Sequence, residues 1–108
     1  MAFKRAQKPT FAAHVTVNIP NDKGGFDKNT FTAIFKRPTA EERLELVQLS
    51  NEELLRRQMV DWDLKDTDTN EAVPFSSMEL EAAMQILPTP YATAQAFWEC
   101  VNGARSKN

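Results

Sequence analysis

Phe11-Ala12-Ala13-His14-Val15-Thr16-Val17-Asn18-Ile19 is the stretch on which the fold turns. Phe11, Ala13, Val15, Val17 and Ile19 alternate with Ala12, His14, Thr16 and Asn18, a period of two that gives a half-buried strand. Pro20-Asn21-Asp22-Lys23-Gly24-Gly25 then supplies turn chemistry. Glycine tolerates positive φ, and Asn and Asp side chains bond to nearby backbone. Farther on, Phe31, Ala33 and Phe35 share one face of a return strand, with Thr30, Thr32, Ile34 and Lys36 on the other. The two runs predict a β-hairpin with a long, mobile tip, its second strand ended by Pro38.

From Pro38 onward the apolar spacing becomes helical. Thr39 with Glu42 fits a capping box, in which hydroxyl and carboxylate satisfy orphan amides of a first helical turn. Leu44 and Val47, with Leu46 and Leu49, supply the apolar face of that helix. Ser50 with Glu53 offers a second capping box, after which Leu54, Leu55, Gln58 and Met59 carry a short helix toward Trp62. Ser76 with Glu79 is a third such signal, and Leu80, Ala83, Met84 and Leu87 mark a core-facing stripe that Pro88 stops. Thr89 followed by Pro90 reads as an N-cap and N1 pair. The last helix then carries Tyr91, Ala94, Phe97, Trp98 and Val101 on one side until Gly103 ends it. The expected fold class is α+β: an N-terminal β-hairpin packed on three to four short α-helices. A single domain is expected over residues 1–108, with 1–10 and 104–108 as flexible tails.

Composition narrows the function. At 108 residues the chain can bury roughly two-thirds of its unfolded surface in one core. Apolar residues make up 42% and charged residues 26%, the balance of a folded globular protein rather than a disordered one. The formal net charge is only −2, and Lys and Arg are dispersed except at the two ends, which argues against a nucleic-acid binder. Cys100 has no second cysteine to pair with and no partner at metal-ligand spacing, so it reads as a buried or half-buried thiol of a reducing compartment. No apolar run approaches membrane-spanning length, and no apolar segment follows the basic residues Lys4, Arg5 and Lys8. Neither membrane insertion nor secretion is expected.

Catalytic constellations are missing from the sequence. His14, the single histidine, falls on the polar face of the first strand with no nucleophile or orienting group assigned to it, and reads as an exposed strand residue. No Gly-x-Ser-x-Gly elbow occurs, and Gly24-Gly25 is not followed by the Gly-Lys of a phosphate loop. Asp66, Asp68 and Asn70 match the first three ligand positions of an EF-hand calcium loop. Glu71 stands where that loop needs Gly, however, and Ser77 where it needs a bidentate Glu. A polar turn with Asx contacts is the better reading. No catalytic residue, cofactor site or metal site is assigned.

The aromatic residues carry more information. Trp62, Phe75, Phe97 and Trp98 are expected to fill the core where hairpin and helices meet. Adjacent Phe97 and Trp98 cannot point the same way on a helix, so one of them is left partly exposed as a natural anchor for a partner. The candidate partner-binding residues are Trp62, Phe75, Tyr91 and Trp98.

The order of features resembles a known family. A basic N-terminus, a hairpin ending in Phe35-Lys36-Arg37-Pro38-Thr39, a Glu-rich helical middle, then Val60-Asp61-Trp62 and Val73-Pro74-Phe75-Ser76 before two short helices resembles the tail assembly chaperones of long-tailed, lambda-like bacteriophages. Asp61 stands where the family's usual Gly-Trp pair has Gly, and Asn70-Glu71 where it has an Asp-Gly turn. The resemblance implies a non-enzymatic helper of tail morphogenesis in the host cytoplasm, absent from the mature virion. It implies binding to the tape-measure protein, which is kept soluble, and help in recruiting tail tube protein. It also implies no cofactor, nucleic acid or membrane. The exposed edge of the hairpin allows a homo-oligomer. Three other readings stand beside it. The first is a small regulatory or host-takeover protein binding a host factor. The second is a helix-turn-helix DNA binder using Arg56 and Arg57 of the short helices near Ser50, and the third a metal-dependent enzyme.

Overall fold

In the computed structural model, which describes residues 6–103, the alternating stretch forms strand β1, Thr10–Pro20, and the return run forms β2, Phe26–Lys36. They pair antiparallel in unbroken register from Thr10↔Lys36 to Pro20↔Phe26. Ala13, Val15 and Val17 are buried, while His14, Thr16 and Asn18 are exposed, as the alternation requires. Of the expected flexible tails, residues 1–5 and 104–108 lie outside the described residues. The rest of the first tail is held: the Arg37 N–H donates to the Pro9 carbonyl at 2.8 Å, Arg37 Nε donates to the Lys8 carbonyl at 2.9 Å, and Thr10 already belongs to β1.

The hairpin tip is shorter than expected because Asn21 closes it. Its Oδ1 accepts from the Lys23 and Gly25 amides, both at 3.0 Å, and its own N–H donates to the Gly25 carbonyl at 3.0 Å. Gly24, at φ 83°, takes the left-handed position that a side chain disfavours.

Met59–Trp62, expected as the end of a helix, is instead a third strand, β3, on the far side of β2. Its register runs Ala33↔Trp62, Ile34↔Asp61 and then Phe35↔Met59, leaving Val60 as the extra residue of a bulge. The bulge resets the alternation, so Met59 and Trp62 both face the core although they are three residues apart. In the sequence that spacing is indistinguishable from a helical i, i+3 pair.

Three of the four described helices start at the expected caps. Helix α1, Ala40–Leu46, opens on a complete capping box: Thr39 Oγ1 accepts from the Glu42 amide, and the Glu42 carboxylate accepts from the Thr39 amide at 2.8 Å. The hydroxyls of Ser50 and Ser76 accept from the Glu53 and Glu79 amides at the starts of α2, Asn51–Gln58, and α3, Ser77–Met84. Two apolar faces differ from expectation. On α1, Leu46 is buried and Leu49 half-buried, whereas Leu44 and Val47 face solvent. Both pairs have i, i+3 spacing, and on a helix of two turns only tertiary packing decides between them. Helix α3 stops at Met84, so Leu87 lies beyond it and is exposed rather than part of the core stripe.

Helix α4, Thr89–Val101, begins one residue earlier than expected. Pro88 occupies the N-cap position, without a side-chain cap bond, and Thr89 is buried as the first helical residue. This helix packs on β1 and against α2, so the first strand is covered by the last helix. The centre of the core is a ring cluster in which Phe97 meets Phe35 at 5.0 Å, Phe11 at 5.8 Å and Trp98 at 5.0 Å. Leu46, Leu54, Leu55 and Val15 complete it. These elements bear out the α+β class and the hairpin-on-helices arrangement, with β3 added to the sheet.

One core group is left unsatisfied. Thr93 on α4 is 1% exposed, and its Oγ1 has no hydrogen-bond partner among the described residues. A buried hydroxyl without a partner costs about 1–3 kcal/mol of desolvation. Thr93→Val is therefore expected to raise stability by about 1 kcal/mol, read as an upward shift of the urea midpoint at constant slope.

Candidate functional site

Trp62 and Phe75 come together as one unit. The Trp62 indole, 8% exposed, donates from Nε1 to the Val73 carbonyl at 2.7 Å. Its ring meets Phe75 edge-on at 5.1 Å and Phe31 edge-on at 6.3 Å. Burial makes Trp62 a core anchor rather than part of an accessible docking surface. Phe75 is half-buried against it.

Between these two residues the chain makes a closed excursion. The Val73 N–H donates to the Leu64 carbonyl at 2.9 Å, and Lys65 bridges Ala72. Asp66 organises the turn: Oδ1 accepts from the amides of Asp68 at 2.8 Å and Thr69 at 3.2 Å, and its carbonyl accepts from the Asn70 amide at 2.7 Å. Asn70, at φ 59°, takes the left-handed conformation that Asn accommodates better than most residues. The Asx turn expected from the sequence is present. Among the described residues no group of three His, Cys, Asp or Glu side chains converges as a metal site.

Tyr91 and Trp98 lie seven residues apart, on one stripe of α4. Tyr91 is 62% exposed, and Trp98 is half-buried beside the fully buried Phe97. Trp98 is thus the partly exposed member of the adjacent aromatic pair. With α4 on β1 and Trp62 on β3, the four candidate residues form two separate pairs rather than one surface. Cys100 is half-buried, as expected.

The arginines that a DNA-reading helix would use are engaged. Arg56 makes two bonds to the Glu81 carboxylate at 2.6 and 2.9 Å and one to Glu53 at 2.5 Å, and Arg57 pairs with Glu45 at 3.0 Å. Hydrogen bonds from Arg56 hold the Glu81 carboxyl below its ordinary value of 4.5, with desolvation opposing and the Arg56 charge assisting. The Thr39 amide does the same for Glu42. Carboxyls depressed in the folded state stabilise it above their unfolded pKa, and that contribution is lost as pH falls through the depressed folded value. Stability is therefore expected to decline below about pH 4.5. Glu81→Gln should make that acid limb shallower in urea midpoints taken from neutral pH downward.

Beside the Trp62 unit lies an open groove of about 1350 Å³, between the turn end of the hairpin, the excursion after β3, and α3 with its following corner. Val17, Ile19, Phe31, Ala83 and Ile86 give it apolar lining, and Phe26 stands at one end. Phe26 is 68% and Ile86 49% exposed. Neither was singled out in the sequence. Phe26 follows the Gly24-Gly25 turn and Ile86 follows the last turn of a helix, positions where the apolar pattern is interrupted.

The chain was compared with protein-family models, curated proteins and solved structures. No match was found in any of the three.

Proposed function

We propose that this protein is a non-enzymatic tail assembly chaperone of a long-tailed bacteriophage. It binds the tape-measure protein in the host cytoplasm, keeps it soluble, helps recruit tail tube protein and is absent from the mature virion. The observation that supports this reading is the union of the two sequence segments that carry the resemblance. Val60-Asp61-Trp62 and Val73-Pro74-Phe75-Ser76 fold into one anchored unit, joined through the Trp62 indole and the Val73 carbonyl, and Ser76 caps the helix that follows. Exposed apolar side chains beside this unit and along α4 suit a protein that masks apolar stretches of a long helical partner.

The test is co-expression with a phage tape-measure protein, scoring solubility and co-purification. The expected result is a partner that is soluble only with this chain and elutes with it. A partner that is soluble alone and never binds would overturn the reading and leave a host factor as the target. Within the chaperone reading, Trp98→Ala is expected to lower the melting temperature, because the ring also packs on Phe97, yet to lose partner retention at temperatures where the variant is still folded. General unfolding of that variant would return Trp98 to a purely structural role.

A further inference from the structure

We infer that the groove beside the Trp62 unit is a docking site for an amphipathic helix whose apolar stripe is flanked by lysine and arginine. This rests on the reading that the protein binds a helical partner, and it names the surface and the chemistry. The groove is acidic as well as apolar. Asp27, Asp63, Asp66, Asp68 and Glu79 line it, against Lys28 and Lys65 alone, a net charge of −3. The whole chain carries −2, and four of its thirteen Lys and Arg residues, Lys4, Arg5, Arg105 and Lys107, lie outside the described residues. This acidic lining attracts a basic ligand and repels an acidic one.

The shape favours a helix. α4 covers the open end of the hairpin through Phe11, Phe35 and Phe97, and its first residue, Thr89, reaches the groove. Toward the turn, Ile19 and Phe31 on the same sheet face stay half-buried, opposite Ile86. A sheet face buries its apolar side under a helix, and here the second layer stops short. Val15 and Val17 on this face are already buried, so the uncovered floor is Ile19 and Phe31. A stripe of i, i+3, i+4, i+7 apolar residues would lie on Ile19, Phe31 and Ile86, with basic residues on either flank reaching the acidic rim.

The test uses the full chain and a synthetic peptide of about 14 residues, leucine at i, i+3, i+4 and i+7 and lysine elsewhere, with a second peptide carrying glutamate for lysine. Amide shifts in heteronuclear NMR spectra are expected to move at Ile19, Phe31, residues 63–70 and Ile86 with the lysine peptide, which binds about tenfold or more tighter than the glutamate peptide. Ile86→Ser is expected to weaken that binding about tenfold, while Leu44→Ser, on the exposed face of α1, leaves it unchanged. Asp68→Lys with Glu79→Lys turns the lining from net −3 to net +1 and is expected to reverse the preference between the peptides. Folding of each variant is checked by its melting temperature. Equal binding of the two peptides, shifts confined to another surface, or no binding of the lysine peptide overturns the inference. Co-expression separates it from the chaperone reading. If the tape-measure protein is retained by the original chain and by Ile86→Ser alike, the groove assignment falls and the chaperone reading stands. If the original chain fails to retain it, the chaperone reading falls, and the peptide experiment decides the groove alone.

Discussion

Phe97→Ala is expected to destabilise the protein by about 3–5 kcal/mol, the range for removing a large buried aromatic. Phe97 has no exposed surface, and its ring touches three others, two from the hairpin and one from its own helix. Truncation leaves a cavity at the point where α4 closes over β1 and β2. Relaxation cannot fill it easily, because Phe11 and Phe35 are fixed by an eleven-residue ladder in unbroken register. A domain of this size has about 5–15 kcal/mol of total stability, so the variant would sit near the edge of folding. Urea denaturation followed by circular dichroism measures the change directly. A loss below about 1 kcal/mol would mean that the ring cluster is not the centre of the core.

Trp62→Ala is expected to cost a similar amount, about 3–5 kcal/mol, for a different combination of reasons. The side chain links three segments: β3 through its backbone, β2 through Phe31, and the excursion after β3 through Phe75 and the Val73 carbonyl. Trp62→Phe separates the contributions, since it retains a buried ring but strands the Val73 carbonyl. Its expected cost is smaller, about 1–3 kcal/mol from the unsatisfied acceptor together with the volume lost. Hydrogen exchange should show the difference locally. The Val73 amide, bonded to Leu64, is expected to lose protection in both variants, more in the alanine variant, while the β1 amides paired with β2 lose theirs only as far as global stability falls.

What was legible in the sequence followed from short-range chemistry. The alternation of Phe11 to Ile19 located a strand because inward and outward residues differ in polarity at every step. The hydroxyls of Thr39, Ser50 and Ser76 located three helix starts because a cap acts within three residues of itself. The features that escaped are those settled by distant neighbours. β3 escaped because the bulge at Val60 put Met59 and Trp62 on one face at a helical spacing. The buried face of α1 escaped because Leu44 and Val47 are as well spaced as Leu46 and Leu49, and the rest of the fold makes the choice.

The candidate surface was only partly legible, for the same cause. Trp98 was recognisable as half-exposed because a helix cannot bury two consecutive aromatics equally. Trp62 was recognisable as an anchor but not as inaccessible, since burial depends on Phe31 and Phe75 closing around it from other segments. The groove is assembled from the hairpin, the excursion and α3, and its acidic residues are scattered from Asp27 to Glu79. In a chain of net charge −2, no run of acids announces it.

The cover of β1 by α4 sets the order in which this protein can be made. Emerging from a ribosome, the hairpin can zip locally as soon as Lys36 is free, because its pairing closes only one short turn. Its aromatic face then waits, wet, through the synthesis of α1, α2, β3 and α3, since the helix that seals it is made after all of these. A nascent chain halted before Phe97 is thus a sticky intermediate rather than a smaller stable domain. A protein proposed to shield another chain's apolar surface has an apolar surface of its own to shield first, and does so only once α4 has been translated.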